Sequence, residues 1–236
     1  MVYNWIESIQ SFLLPDHCRL CGIRGPGLCD GCRQDLPRNQ HCCPRCALPL
    51  PGDVGPGVLC GDCLAREPPF ERSLVPFLYG YPLDHLIQAF KFDGCSGHGR
   101  VLAALLADAI ERAGWPDLPE VLIPVPLHPR RLRQRGFNQA LELARPLGRR
   151  LGIPVDAACC RRLRQTPAQA GLDRKHRQRN LAGAFAVAGS LGYRHLALVD
   201  DVVTTGATTA ELARTLRRAG ATRIEVWALA RTPSIG

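Results

Sequence analysis

Residues 196–208 read LALVDDVVTTGAT: a strand, a turn and a helix start within thirteen positions. Residues 196–199 are all apolar, as a strand buried on both faces requires. Asp200 and Asp201 follow where the strand should reach its carboxyl end, the edge at which α/β proteins bind ligands. Thr204, Thr205, Gly206, Ala207 and Thr208 then make a hydroxyl- and glycine-rich turn leading into a helix. The first N–H groups of a helix have no backbone partner and lie at the positive end of its dipole, so this turn is suited to a phosphate. Gly206 lets the backbone approach that phosphate closely. The two carboxylates suit the 2- and 3-hydroxyls of a ribose, or a magnesium ion. Taken alone, Asp-Asp merely ends a strand and Thr-Thr-Gly merely caps a helix. The order of all thirteen residues is what points to a phosphosugar.

Outward from this segment, strand and helix patterns alternate. Residues 74–79, 121–125, 184–187, 195–199 and 224–230 carry strand patterns, and 83–92, 100–113, 137–151 and 207–219 carry helical ones. Gly114, Gly152 and Gly220 stand where three of those helices should stop. Such alternation predicts an α/β domain over 73–236, with a mostly parallel sheet flanked by helices. Residues 164–181 are polar, basic and aperiodic, and are expected to form a long functional loop. Val2, Trp5, Ile6, Ile9, Phe12 and Leu13 recur at helical spacing, so 1–15 is expected to be an amphipathic helix packed on the body. That stretch has no basic start and carries Glu7 within it, which argues against a secretory signal. No apolar run approaches the roughly 20 residues a membrane-spanning helix needs, and a cytoplasmic protein is expected.

The chain carries a net charge of +9, unevenly placed. Residues 128–179 hold fourteen Lys and Arg against three Asp and Glu, whereas the rest holds sixteen against eighteen. All the excess is therefore in one central stretch, which implies a local anionic partner.

Nine of the twelve cysteines lie between Cys18 and Cys63. Eight form four C-x-x-C units: Cys18/Cys21, Cys29/Cys32, Cys43/Cys46 and Cys60/Cys63. Each unit can present two thiolates to one tetrahedral zinc, so eight ligands make two closed, structural sites over residues 16–66. Sequential and interleaved pairings of the units both remain open at this point. Cys42 lies outside the spacing, and Cys95, Cys159 and Cys160 read as ordinary buried thiols. The absence of a secretory signal disfavours disulfides.

The segment 196–208 resembles the phosphoribosyl-pyrophosphate (PRPP) signature of type I phosphoribosyltransferases. With IPVPLHPRRLRQRGFNQA (123–140), TPAQAGLDRKHRQRNLAGAF (166–185) and GATRIEVWALAR (220–231), the chain resembles the ComF family over essentially its whole length. These are competence-associated or DNA-utilisation proteins with a double zinc ribbon ahead of a type I phosphoribosyltransferase-like domain. The resemblance implies that Asp200 and Asp201 contact ribose and that Thr204, Thr205, Gly206, Ala207 and Thr208 hold the 5-phosphate. It places Arg130, Arg131, Arg133 and Arg135 at the pyrophosphate loop, followed by Gly136, Phe137, Asn138 and Gln139. It makes 164–181 a mobile closing loop carrying Arg177 and Asn180, and Lys91 in FKFDG a candidate to face the site. Magnesium would accompany PRPP.

Two functions follow as expectations. One is a PRPP-binding protein that handles single-stranded DNA in natural transformation, with a competence helicase or the uptake machinery as partner. The other is an active Mg-dependent phosphoribosyltransferase in nucleotide metabolism that releases pyrophosphate to an unidentified acceptor. No separate hood segment for recognising a base is evident, unless the zinc module serves as one.

Overall fold

In the computed structural model, the residues described are 17–25, 27–52, 54–93, 96–164 and 181–233. The expected helix over 1–15, most of the 164–181 loop with Arg177 and Asn180, and Cys95 lie outside them.

The order of elements is α1 (Asp30–Gln34), α2 (Gly61–Ala65), β1 (Arg72–Leu74), β2 (Phe77–Leu78), α3 (Leu83–Asp93), α4 (Ser96–Ala113) and β3 (Val121–Pro124). It continues with α5 (Pro129–Arg135), α6 (Gln139–Leu151), β4 (Cys160–Arg162), β5 (Phe185–Val187), β6 (His195–Val203), α7 (Ala207–Arg218) and β7 (Arg223–Arg231). The main sheet is parallel throughout, in the order β1-β7-β6-β3, with β2 also paired to β7. Beyond β3 the chain adds a further parallel bridge, Leu122 to Val155.

Burial explains why both faces of this sheet are covered. Leu196 and Leu198 of β6 pack with Leu212, Ala213 and Leu216 of α7, whereas Ala197 and Val199 point into the cluster formed by α3, α4 and α6. Val121 and Ile123 alternate with Leu122 in the same way, as do Val226 and Ala228 with Trp227 and Leu229. A strand whose side chains are apolar on both sides can be satisfied only between two helical layers. Helix α6 is set by its caps. The Asn138 side chain accepts from Ala140 N–H at 3.1 Å, and Gly152 closes the far end in the left-handed region at φ 69°.

Three expectations need correction. The strand expected over 74–79 is two short strands, because Pro76 has no N–H to offer the ladder and the carbonyls of Val75 and Pro76 bond Asn39 instead. The segment after β3 is not only loop. His128 Nδ1 accepts from Arg130 N–H, Pro129 sits in the first turn, and Gly136 at φ 81° ends a seven-residue helix, α5. Strand β6 runs past Val199 to Val203, so the two aspartates lie within the strand rather than after it. The strand β4 went unread in the sequence; it pairs antiparallel with β5 and forms the base from which the 164–181 segment departs.

Under the amino end of the sheet, Glu225 is fully buried and accepts from Arg72 Nη2 at 2.7 Å and Trp227 Nε1 at 3.0 Å, with His195 Nε2 at 2.8 Å. Arg72 also lies 3.5 Å above the Trp115 ring. Removing the carboxylate would strand these donors out of water. Glu225→Ala is expected to destabilise the chain by about 3 kcal/mol in urea unfolding. An unchanged midpoint would show that the network contributes nothing.

Candidate functional site

The strand connections locate the site before any side chain is considered. From β3 the chain moves outward through α6 to the Val155 edge, and from β6 it moves the other way through α7 to β7. Neighbouring strands whose connections diverge leave a crevice at their carboxyl ends, the usual ligand position in such sheets. Pro124 pairs with Val199 and Val125 N–H donates to Val199 O at 2.9 Å, so the segments after β3 and after β6 open beside each other.

On the β6 side, alternation along the strand starts Asp201 toward α3 and Asp200 toward α7 and β4. Lys91 Nζ of α3 meets Asp201 Oδ2 at 2.9 Å. Asp200 Oδ1 accepts from Asp201 N–H at 2.9 Å, and Asp201 Oδ1 from Val202 N–H at 2.8 Å. Burial, reinforced by the neighbouring charge of Asp201, raises the Asp200 carboxyl well above the ordinary carboxylate range, and Lys91 only partly offsets this. Arg162, which the sequence reading did not single out, lies in electrostatic reach of both Asp200 and Arg131. Burial lowers its pKa and Arg131 adds to that, while Asp200 acts the other way.

The turn after β6 leads into α7 with Gly206 as N-cap at φ 74°, a left-handed backbone that favours glycine. No side chain caps this twelve-residue helix. The Thr205 hydroxyl makes only a long 3.4 Å contact with Ala207 N–H, and the Thr209 hydroxyl donates to Gly206 O at 3.0 Å. The helix start is therefore bordered by Thr204, Thr205 and Thr208, and among the described residues its one side-chain acceptor is the long Thr205 contact, which suits an anion site.

Across the crevice, Arg130, Arg133 and Arg135 are exposed on α5 and Arg131 is half-buried. The following residues are largely committed to structure. Arg135 Nη1 donates to Gln139 Oε1 at 2.9 Å, Asn138 Nδ2 donates to Val125 O at 3.1 Å, and Phe137 lies against Phe90 at 5.9 Å between centroids. Asn138 thus fastens the start of α6 to the end of β3. Between α5, α6 and β4 is a cavity of about 410 Å³ lined by Leu127, Phe137, Leu141, Arg145 and Arg162.

The cysteines form two groups, Cys18/Cys21/Cys29/Cys32 and Cys43/Cys46/Cys60/Cys63, with all sulfurs of each within 4.8 Å of one another. The sequential pairing is therefore the one adopted. Zn–S bonds of ~2.3 Å in a tetrahedron imply sulfurs about 3.8 Å apart. Cys21 and Cys29 are 3.7 Å apart and Cys46 and Cys60 3.6 Å, so both groups fit structural zinc. Cys42, Cys159 and Cys160 belong to neither group. Among the described residues, no helix is long and apolar enough to cross a membrane.

Residues 9–64 match the family model for a double zinc ribbon domain. The chain is 40% identical over 227 residues to competence protein F of Haemophilus influenzae, covering 91% of this chain and 95% of that protein. It is 37% identical over 226 residues to the DNA utilization protein YhgH of Salmonella typhimurium, covering 93% and 98%. Competence protein ComFC of Streptococcus pneumoniae is 26% identical over 207 residues, covering 86% and 87%. Among solved structures, a purine phosphoribosyltransferase from Pyrococcus horikoshii matches with a TM-score of 0.35 and 21% identity, covering 56% of this chain and 73% of that one. At that score the likeness adds nothing to the strand order described above.

The purified chain is expected to carry two zinc ions, and Cys29→Ser to carry one, in a chromogenic thiol-displacement assay. Loss of both ions from Cys29→Ser would mean that the two groups do not load independently.

Proposed function

Because the chain belongs to the ComF family of competence and DNA-utilisation proteins, we propose that it binds PRPP at the β3–β6 crevice and handles single-stranded DNA along the adjoining basic surface. The observation that carries the PRPP half is the uncapped start of α7, set beside Asp200 and Asp201 where the connections of β3 and β6 diverge. Each part of the ligand then has a complement. The 5-phosphate meets the free N–H groups and hydroxyls of 204–208. The ribose hydroxyls meet carboxylate oxygens, and the pyrophosphate meets the arginines of α5. Magnesium prefers carboxylate and phosphate oxygens, so Asp200 is the residue that would help hold it, and when bound it would neutralise pyrophosphate charge.

The DNA half draws support from a basic rim. Arg145 and Arg161 are exposed at the cavity that contains Phe137, and Arg130 and Arg133 are exposed on the adjoining α5, an arrangement that could follow a phosphate backbone while an aromatic ring meets a base. The same cavity favours a second reading, an active transferase, since it offers room for an acceptor within reach of Arg162 and Asp200. In that reading the acceptor displaces pyrophosphate at the anomeric carbon. Positioning and charge stabilisation of the leaving group would supply most of the rate. Pyrophosphate release on mixing PRPP with candidate bases or oligonucleotides separates the enzyme from the binder.

Two outcomes test the proposal. Burial and the charge of Asp201 raise the Asp200 carboxyl above its ordinary range, so binding that needs the carboxylate is opposed by protonation as pH falls. PRPP–magnesium affinity in calorimetry should rise with pH, and Asp200→Asn should weaken binding and flatten the rise. Affinity untouched by the substitution would remove Asp200 from the site. Single-strand binding should weaken steeply with salt. Replacing Arg130, Arg131, Arg133 and Arg135 with Gln should reduce the log–log slope by about 3, at ~0.7 for each phosphate no longer neutralised. An identical slope in the variant would place the DNA elsewhere.

A further inference from the structure

One side chain joins the second cysteine group to the phosphate-binding turn. Arg231 is the last residue of β7 and only 5% exposed. Its Nε donates to the carbonyl of Cys46 at 3.2 Å. Its Nη1 donates to the carbonyls of Val203 at 3.1 Å, Thr204, and Thr232 at 3.0 Å. Cys46 completes the first C-x-x-C knuckle of its group, while Val203 ends β6 and Thr204 opens the turn. A planar guanidinium with donors in a fixed fork can hold both sides at a set separation, which a single ammonium cannot.

The knuckle itself is held at every carbonyl. Pro44 O accepts from Ser73 N–H at 3.0 Å, Arg45 O from the Ser73 hydroxyl at 2.5 Å, Cys46 O from Arg231, and Ala47 O from Asn39 Nδ2 at 2.9 Å. Ala47, fully buried, takes a left-handed φ of 54°, a conformation an alanine keeps only when its surroundings impose it. Ligation of Cys43 and Cys46 by one ion would close this turn and so align those four carbonyls. By contrast, direct packing between the knuckle and the turn is incomplete. A cavity of about 320 Å³, bordered by Cys46, Cys63, Arg66, Thr205 and Gly206, lies between them. Arg231, which does not line this cavity, ties the two segments directly through their backbone carbonyls.

We propose that Arg231 is a positioning residue through which zinc at Cys43, Cys46, Cys60 and Cys63 holds the 204–208 turn in its anion-binding geometry. The ribbon would then be part of the binding apparatus, acting on the turn from behind without touching ligand. The ligand side of this inference rests on the PRPP reading; the coupling itself does not.

The test is hydrogen exchange by mass spectrometry on the full zinc-loaded chain without ligand, comparing peptides over 200–210 with peptides of α6. In Arg231→Met, amide exchange in the turn should rise about tenfold while two zinc ions are retained and α6 is unchanged. Arg231→Lys should be intermediate, and it decides the matter where the methionine variant does not fold. Cys46→Ser, which loses one zinc, should raise exchange in the turn to the same degree, and combining it with Arg231→Met should add nothing. Unchanged exchange in the turn, a rise shared equally by α6, or additive effects in the double variant would each overturn the coupling. A ribose 5-phosphate titration of the same proteins separates the two ideas. Weakening of about tenfold in Arg231→Met supports both, whereas no binding to the wild-type chain defeats the PRPP reading and leaves the exchange result to judge the coupling.

Discussion

The parallel pairing of β3 with β6 is the constraint from which most of this structure follows. Their side chains are apolar on both faces, so the pair has to sit between helical layers, and α3, α4 and α6 cover one side while α7 covers the other. A parallel pair cannot be joined by a tight turn, so each strand must be followed by a helical crossover. Because the crossover from β3 runs outward and that from β6 runs toward β7, the carboxyl ends separate into a crevice rather than closing over. The acidic residues, the glycine at positive φ and the arginines of α5 all lie on segments that this divergence brings together.

The cysteine module depends on that body as well as on metal. It is too small to bury much apolar surface, and several of its residues, including Cys18, Leu28 and Leu36, belong to the core shared with α3 and α4. Polar ties reinforce the seam. Arg33 Nη1 bonds Asp108 of α4 at 2.7 Å, and Leu78 N–H donates to Pro37 O at 2.8 Å. Zinc contributes the local geometry of each knuckle, and the sheet edge contributes the partners for the carbonyls that the knuckles expose. Neither half of the arrangement accounts for the other's order alone.

Where sequence reading succeeded and failed has a physical pattern. Features encoded by neighbours in the chain were legible: the C-x-x-C spacing, Gly152 after an amphipathic helix, and the strand-turn-helix at 196–208. The strand β4 was not, because three residues, Cys160–Arg162, carry too little periodicity to distinguish a strand from a basic loop, and its partner lies more than twenty positions away. The pairing of the cysteine units was open for the same reason, since spacing within a unit says nothing about which unit closes on which. Nothing local in the sequence marks Arg231 or Arg162. Only the tertiary fold buries one against backbone carbonyls from two segments and brings the other into reach of Asp200. Asn138 and Gln139 went the other way: grouped by motif with ligand-binding residues, they are occupied in fastening α6.

The two aspartates show how adjacent, chemically identical groups acquire different surroundings. Alternation along β6 sends them to different sides, and the sides differ in charge. Asp201 has the Lys91 ammonium at 2.9 Å, while Asp200 faces burial and the charge of Asp201, with Arg162 in electrostatic reach. The carboxylate of Asp201 already has an ammonium partner in Lys91. The other is the group whose charged form burial and the charge of Asp201 disfavour, with Lys91 offsetting this only in part. Carboxyls raised by burial and a neighbouring like charge, as Asp200 is, commonly mark sites of chemistry or binding. Here the asymmetry is set by which helix lies on which side of the strand, so it originates in the same layer packing that opens the crevice.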